Sequence, residues 1–140
     1  MKRVTSLLIL VTMYFSIACQ PTLEETNSQL REEVIAVHDE VMPMMGKLKS
    51  FEKQAQEKIA KLEQEENVDE ARVEELKALA FDLNKAYDGM FVWMRQYEVE
   101  DGDKSPEEVE SYLKEQLVLV SKVNEDITAA LEKAERVIGA

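Results

Sequence analysis

One cysteine, one histidine, one tryptophan, four glycines and three prolines are all that this 140-residue chain holds of those types. A single cysteine excludes an internal disulfide and any multi-cysteine metal centre. One histidine, four glycines, no phosphate-cradling loop and a sole cysteine at the end of the N-terminal apolar run, expected to be committed to lipid, leave no nucleophile–base pair or nucleotide site, and the chain is expected not to be an enzyme. Basic residues are also scarce, 17 Lys and Arg against 29 Asp and Glu, for a net charge of −12. Such a surface repels phosphate backbones, so no nucleic-acid partner is expected. Nor does any stretch alternate polar and apolar residues with period two, and no Asn-Gly or Gly-Gly hairpin signal is present, which argues against strands.

The first segment, "MKRVTSLLILVTMYFSIACQ", places Lys2 and Arg3 before an uncharged, largely apolar run from Val4 to Ala18. That run is shorter than the roughly 20 residues of a membrane-spanning helix and reads as a secretory signal peptide over residues 1–18. Its end, "SIAC", resembles the lipobox of bacterial lipoproteins, with Ser16 where leucine is usual. The resemblance implies that Cys19 is acylated and becomes the first mature residue, and Gln20 in place of Asp implies the periplasmic face of the outer membrane. Acyl chains contribute about 0.8 kcal/mol per buried methylene, so a multiply acylated cysteine anchors without a transmembrane helix. The chain is thus expected to divide into a signal peptide, a lipidated cysteine with a polar tether over 19–30, and a helical domain over 31–140. Cleavage leaves 15 basic and 29 acidic residues, a mature net charge of −14. Contact with the membrane should therefore run through the anchor rather than the acidic protein surface.

Three stripes of apolar residues recur at spacings of three and four, the mark of amphipathic helices. The first includes Leu30, Val34, Val37, Val41, Met44, Leu48, Phe51, Ala55 and Leu62; the second runs from Val73 through Leu83 and Met90 to Tyr97. The third holds Leu113, Leu117, Val120, Asn124, Ile127, Leu131, Ala134 and Ile138, with Asn124 read as a buried register-setting polar group. In "EVEDGDKSPEE", Gly102 stops one helix, Ser105 caps the next, Pro106 takes its first position and Glu108 completes a capping box. In "EQEENVDEAR", Asn67 can close a helix and Asp69 can cap its successor. The rival is one continuous coiled-coil helix through this segment, but Lys58, Glu65, Asp69 and Arg72 would then occupy its seam. The fold class is all-α: an antiparallel three-helix bundle, or a long helical hairpin plus a third helix, with helices at 31–66, 69–98 and 105–138.

A reversal near Asn67 makes facing residues of the first two helices sum to roughly 134 in number. All five methionines beyond the signal peptide, Met42, Met44, Met45, Met90 and Met94, then fall at one level with His38 and Trp93. Thioethers bind Cu(I) well and imidazole binds copper readily, and both persist where thiols oxidise. His38 and Met42 stand one helical turn apart, as do Met90 and Met94. His38, Met42, Met45, Met90 and Met94 are therefore the candidate metal ligands. The competing account is packing: Pro43 disrupts its helix at about 3 kcal/mol, flexible methionines fill the irregular gaps, and His38 hydrogen-bonds Asp39 or Tyr97.

The segments "VHDEVMPMMGKL" and "MFVWMRQYE" are similar to stretches in a family of small, all-helical bacterial lipoproteins, sometimes labelled "viral A-type inclusion protein". That resemblance implies lipidation and an all-helical fold and supplies no mechanism. The expected function is a non-enzymatic helical binding or structural module for an envelope protein partner, with no cofactor; the alternative is a periplasmic soft-metal, Cu(I), binding protein.

Overall fold

Helix formation begins earlier than the apolar stripes indicate. In the computed structural model, which describes residues 21–139, helix α1 spans Leu23–Val41. The signal peptide and Cys19 lie outside the described residues. Within the segment expected to be a tether, Thr22 and Glu25 form a capping box. The Thr22 hydroxyl accepts from the Glu25 amide at 3.2 Å, and the Glu25 carboxylate accepts from the Thr22 amide at 2.8 Å. Two amides left without partners at the helix start are thereby satisfied, and helix replaces tether from Leu23 onward. Asn27, only 8% exposed, donates from Nδ2 to the Pro106 carbonyl at 2.8 Å and ties this start to the third helical rod. Arg31 adds a bond to the Val99 carbonyl at 2.8 Å and an ion pair with Asp101.

The first rod is not one uniform helix. Pro43 has no amide hydrogen to donate to the Asp39 carbonyl, and Met42–Met44 tighten into a single 3₁₀ turn before α2 resumes at Met45–Leu62. Residues 63–69 then reverse the chain. The Asp69 carboxylate accepts from the Arg72 amide at 3.0 Å and opens α3, Glu70–Gln96. The uninterrupted coiled-coil alternative is excluded by this reversal. A second turn around Gly102, at φ 61°, leads to Ser105, whose capping box with Glu108 starts α4, Pro106–Ile138. Positive φ there suits glycine, which has no Cβ to clash.

The result is three helical rods packed against one another, with no strand among the described residues. The first rod and α4 run parallel, as the paired positions Asn27–Pro106, Glu40–Asn124 and Lys47–Glu135 show, and α3 runs antiparallel between their ends. Their interior is lined by Val34, Leu48, Leu76, Leu79, Leu83, Met90, Val120 and Ile127, all fully buried. At about 25 cal/mol per Å² of apolar surface, this core drives assembly, whereas exposed ion pairs such as Lys47–Glu135 contribute at most about 1 kcal/mol each.

The first rod changes neighbours along its length: α1 packs chiefly on α4, and α2 chiefly on α3. The Met42–Met44 turn is where the change occurs. Two features of the stripes are corrected by the packing. Asn124 is half-exposed and donates to the Glu40 carboxylate at 3.1 Å, so it is not a buried register-setting group. The buried polar residue of α4 is Gln116, 7% exposed.

Gly89, inside α3, offers a direct check of helix energetics. A Cβ built there meets nothing within 4 Å, so alanine adds helix propensity without a clash. Gly89→Ala is expected to stabilise the fold by about 1 kcal/mol, seen as a higher urea midpoint at unchanged slope.

Candidate functional site

The switch point of the first rod brings the last turn of α1 over the last turn of α3. His38 and Met94, 56 residues apart, meet there with imidazole Nε2 3.3 Å from the thioether sulfur. This contact agrees with a hairpin register summing to about 134. The other ring nitrogen, Nδ1, lies 2.8 Å from Asp39 Oδ1. The His38 side chain is 19% exposed and that of Asp39 67%, so the ring lies between core and solvent with its carboxylate on the wet side. Of the two hydrogen-bond partners that the sequence offers His38, Asp39 is the one in place.

The remaining candidates divide by depth. Met90 is fully buried and Met45 is 6% exposed; both belong to the continuous apolar core. Met42 and Met94 are half-buried at its edge, as is Met44. The Met42 amide donates to the His38 carbonyl, so an intact α-turn joins the two residues and both side chains leave the same helix face.

Aromatic rings continue the site across the bundle. Trp93, 5% exposed, stands with its ring centroid 5.7 Å from that of His38. Tyr97 stacks on Trp93 at 5.0 Å, and Tyr112 of α4 stacks on Tyr97 at 6.3 Å. The indole N–H donates to Gln116 Oε1 at 3.1 Å inside the core, meeting the need of a buried donor. The Tyr97 hydroxyl is buried without a hydrogen-bond partner. At the far end the Tyr112 oxygen accepts from the Glu98 amide at 2.6 Å. Burial raises the Tyr112 pKa above its ordinary value of 10, against the lowering effect of that amide.

Gln116 is the member of this arrangement that sequence reasoning missed. It lies three residues after Leu113 and four before Val120, in phase with the stripe, but Leu117 took its place because periodicity was counted on apolar residues alone. Its partner gives the physical reason: a buried tryptophan needs an acceptor, and a polar residue in phase with a stripe can supply one.

Chemically, the site offers one imidazole nitrogen, thioether sulfurs and an aromatic face, with a single carboxylate behind the imidazole. Among the described residues, no three or more His, Cys, Asp or Glu side chains are grouped so as to hold a metal ion. Compared with protein-family models, curated proteins and solved structures, the chain finds no match.

Proposed function

We propose that this protein is a lipid-anchored helical module on the periplasmic face of the outer membrane, which acts without chemistry of its own by docking an envelope protein. The observation that carries the reading is Phe81. Among the aromatic residues described, Phe81 alone is exposed, at 68%, on the outer face of α3, and Val92 further along the same face is 43% exposed. Asn84, Lys85, Asp88 and Gly89 line the shallow surface between them. Beside it, Ala86, Gly89, Ala129 and Ala130 form the floor of a groove between α3 and α4 whose rim carries Asp82, Lys85, Asp126 and Lys133, with Lys133 paired to Asp82 at 2.6 Å. Small residues let a partner helix approach closely, and an exposed aromatic beside such a groove is a natural anchor for it.

The proposed occupant is an amphipathic helix. The groove and the surface around Phe81 carry Asp82, Asp88 and Asp126 against Lys85 and Lys133, so apolar fit rather than charge would select it, and the net −14 left by cleavage favours a partner that is basic overall. Acylation at Cys19, which the lipobox-like "SIAC" implies, would keep the module where such a partner is met. The described helices include none long and apolar enough to cross a membrane.

The test is affinity capture of the full lipidated chain from detergent-solubilised membranes. Phe81→Glu should abolish recovery of the partner, a loss of about 2 kcal/mol or more, whereas Val118→Glu, at an equally exposed site on α4, should leave it intact. Cys19→Ala should release the chain from membranes or leave it unprocessed. A monomeric, partner-free protein, or one whose only partner is a second copy of itself, would overturn the docking reading. A Cys19→Ala variant that still fractionates as a fully processed membrane protein would overturn the anchor.

A further inference from the structure

A carboxylate only accepts hydrogen bonds, so Asp39 Oδ1 at 2.8 Å fixes the proton of a neutral His38 ring on Nδ1. The Nε2 lone pair is then left facing the Met94 sulfur at 3.3 Å. A thioether is itself an acceptor, so two electron-rich atoms stand in contact with no hydrogen between them. Such a pair is completed by a Lewis acid. A cation seated beside the line joining the two atoms can bond both at once, because they stand close enough to share one coordination sphere.

We propose that His38 Nε2 and Met94 Sδ, joined by Met42 Sδ, form a binding site for a soft monovalent cation, Cu(I) or its analogue Ag(I). This inference does not depend on the docking surface around Phe81. Met42 qualifies because the intact turn from His38 puts its side chain on the same face, and because the 3₁₀ turn that follows leaves it half-buried at the core's edge. Met45 and Met90, buried in the core, are assigned to packing.

The donor set determines the class of ion. Neutral thioether and imidazole ligands suit Cu(I), whereas harder ions require oxygen donors. Asp39, hydrogen-bonded behind the imidazole, both orients the ring and supplies one negative charge, enough to balance a monovalent ion. Trp93, its ring centroid 5.7 Å from that of His38 and tilted by 36°, flanks the imidazole and is placed to report on ligation there.

The experiment is titration of Ag(I) into the full chain in detergent, carrying Cys19→Ser to remove its only thiol. One equivalent should bind with a change in Trp93 fluorescence. Because the chain has a single histidine, its ring ¹⁵N spectrum is unambiguous: the Nε2 resonance should move on Ag(I) addition while Nδ1 stays protonated. Met94→Leu and Met42→Leu keep volume and hydrophobicity and should each weaken binding at least about tenfold; Met44→Leu should not. An Nε2 resonance indifferent to Ag(I) would overturn the site, even were silver to bind at Met1 or Met13, and it does so without any variant that might unfold. Zn(II) binding to Nε2 as tightly as Ag(I) would equally overturn the soft-ion assignment.

Discussion

Leu83→Ala is expected to cost the fold about 2–5 kcal/mol, while Phe81→Ala, two residues away on the same helix, should change stability by no more than about 0.5 kcal/mol. Leu83 is fully buried where α3 faces its neighbours, whereas Phe81 is 68% exposed. Truncating Leu83 removes apolar surface from the core and leaves a cavity that rigid helices cannot collapse to fill. For a small domain with about 5–15 kcal/mol in total, that is a large fraction of stability. Urea denaturation checks both changes, through midpoints compared at constant slope. Equal midpoints for the two variants would mean that α3 is turned relative to the packing described. A normal Phe81→Ala fold also makes any loss of partner binding attributable to the surface itself.

The second large effect is expected at the pair of Trp93 and Gln116. Gln116→Leu preserves volume but deprives the indole N–H, 3.1 Å from Gln116 Oε1 in a buried setting, of its acceptor. Leaving a buried donor unsatisfied costs about 1–3 kcal/mol. Trp93→Phe removes the donor and leaves the glutamine carbonyl unmet in turn. The double variant buries neither unmatched group, so its destabilisation should fall short of the sum of the two by about 0.5–3 kcal/mol. Strict additivity in the double-mutant cycle would show that the bond contributes nothing beyond packing. The same variants report on the neighbouring site, because Trp93 also flanks His38.

Much of the architecture was legible because helices announce themselves locally. The Ser105–Glu108 capping box, Pro106 at the first helical position and Gly102 at positive φ all stand where their chemistry places them. Asp69 caps α3 as its position before an apolar stripe suggests. Helix ends were less legible. The first two helices were expected to close at 66 and 98 but close at 62 and 96, because charged residues prolong a helical pattern that the reversing chain no longer follows. The start of α1 was missed although "TLEE" carries the capping signal, because the polar residues after it present little of the apolar stripe that periodicity detects. What secures that turn is distant: Asn27 bonds the Pro106 carbonyl 79 residues on, and Arg31 reaches Val99 and Asp101.

The candidate site was legible as a level in the bundle rather than as a set of contacts. Placing the reversal near Asn67 put His38, Trp93 and the five methionines at one height, and the contact of His38 with Met94 follows from that height. Helical period cannot rank the methionines by depth, because neighbouring positions such as Met44 and Met45 flank the same stripe. One is half-buried and the other 6% exposed only because the rods pack as they do.

By itself the sequence determined three amphipathic helices, the caps at Asp69 and Ser105, the two turns and the register of the hairpin, since each depends on groups within a few residues of one another or on counting along a rigid helix. Only the tertiary structure decided that the first rod passes from α4 to α3 at Pro43, that Gln116 rather than Leu117 enters the core, and that Phe81 remains outside it. It also decided that the two ring nitrogens of His38 stand against different partners, Nδ1 against Asp39 and Nε2 against the Met94 sulfur. These features depend on which faces three rods share, and that is settled by the close packing of all three at once.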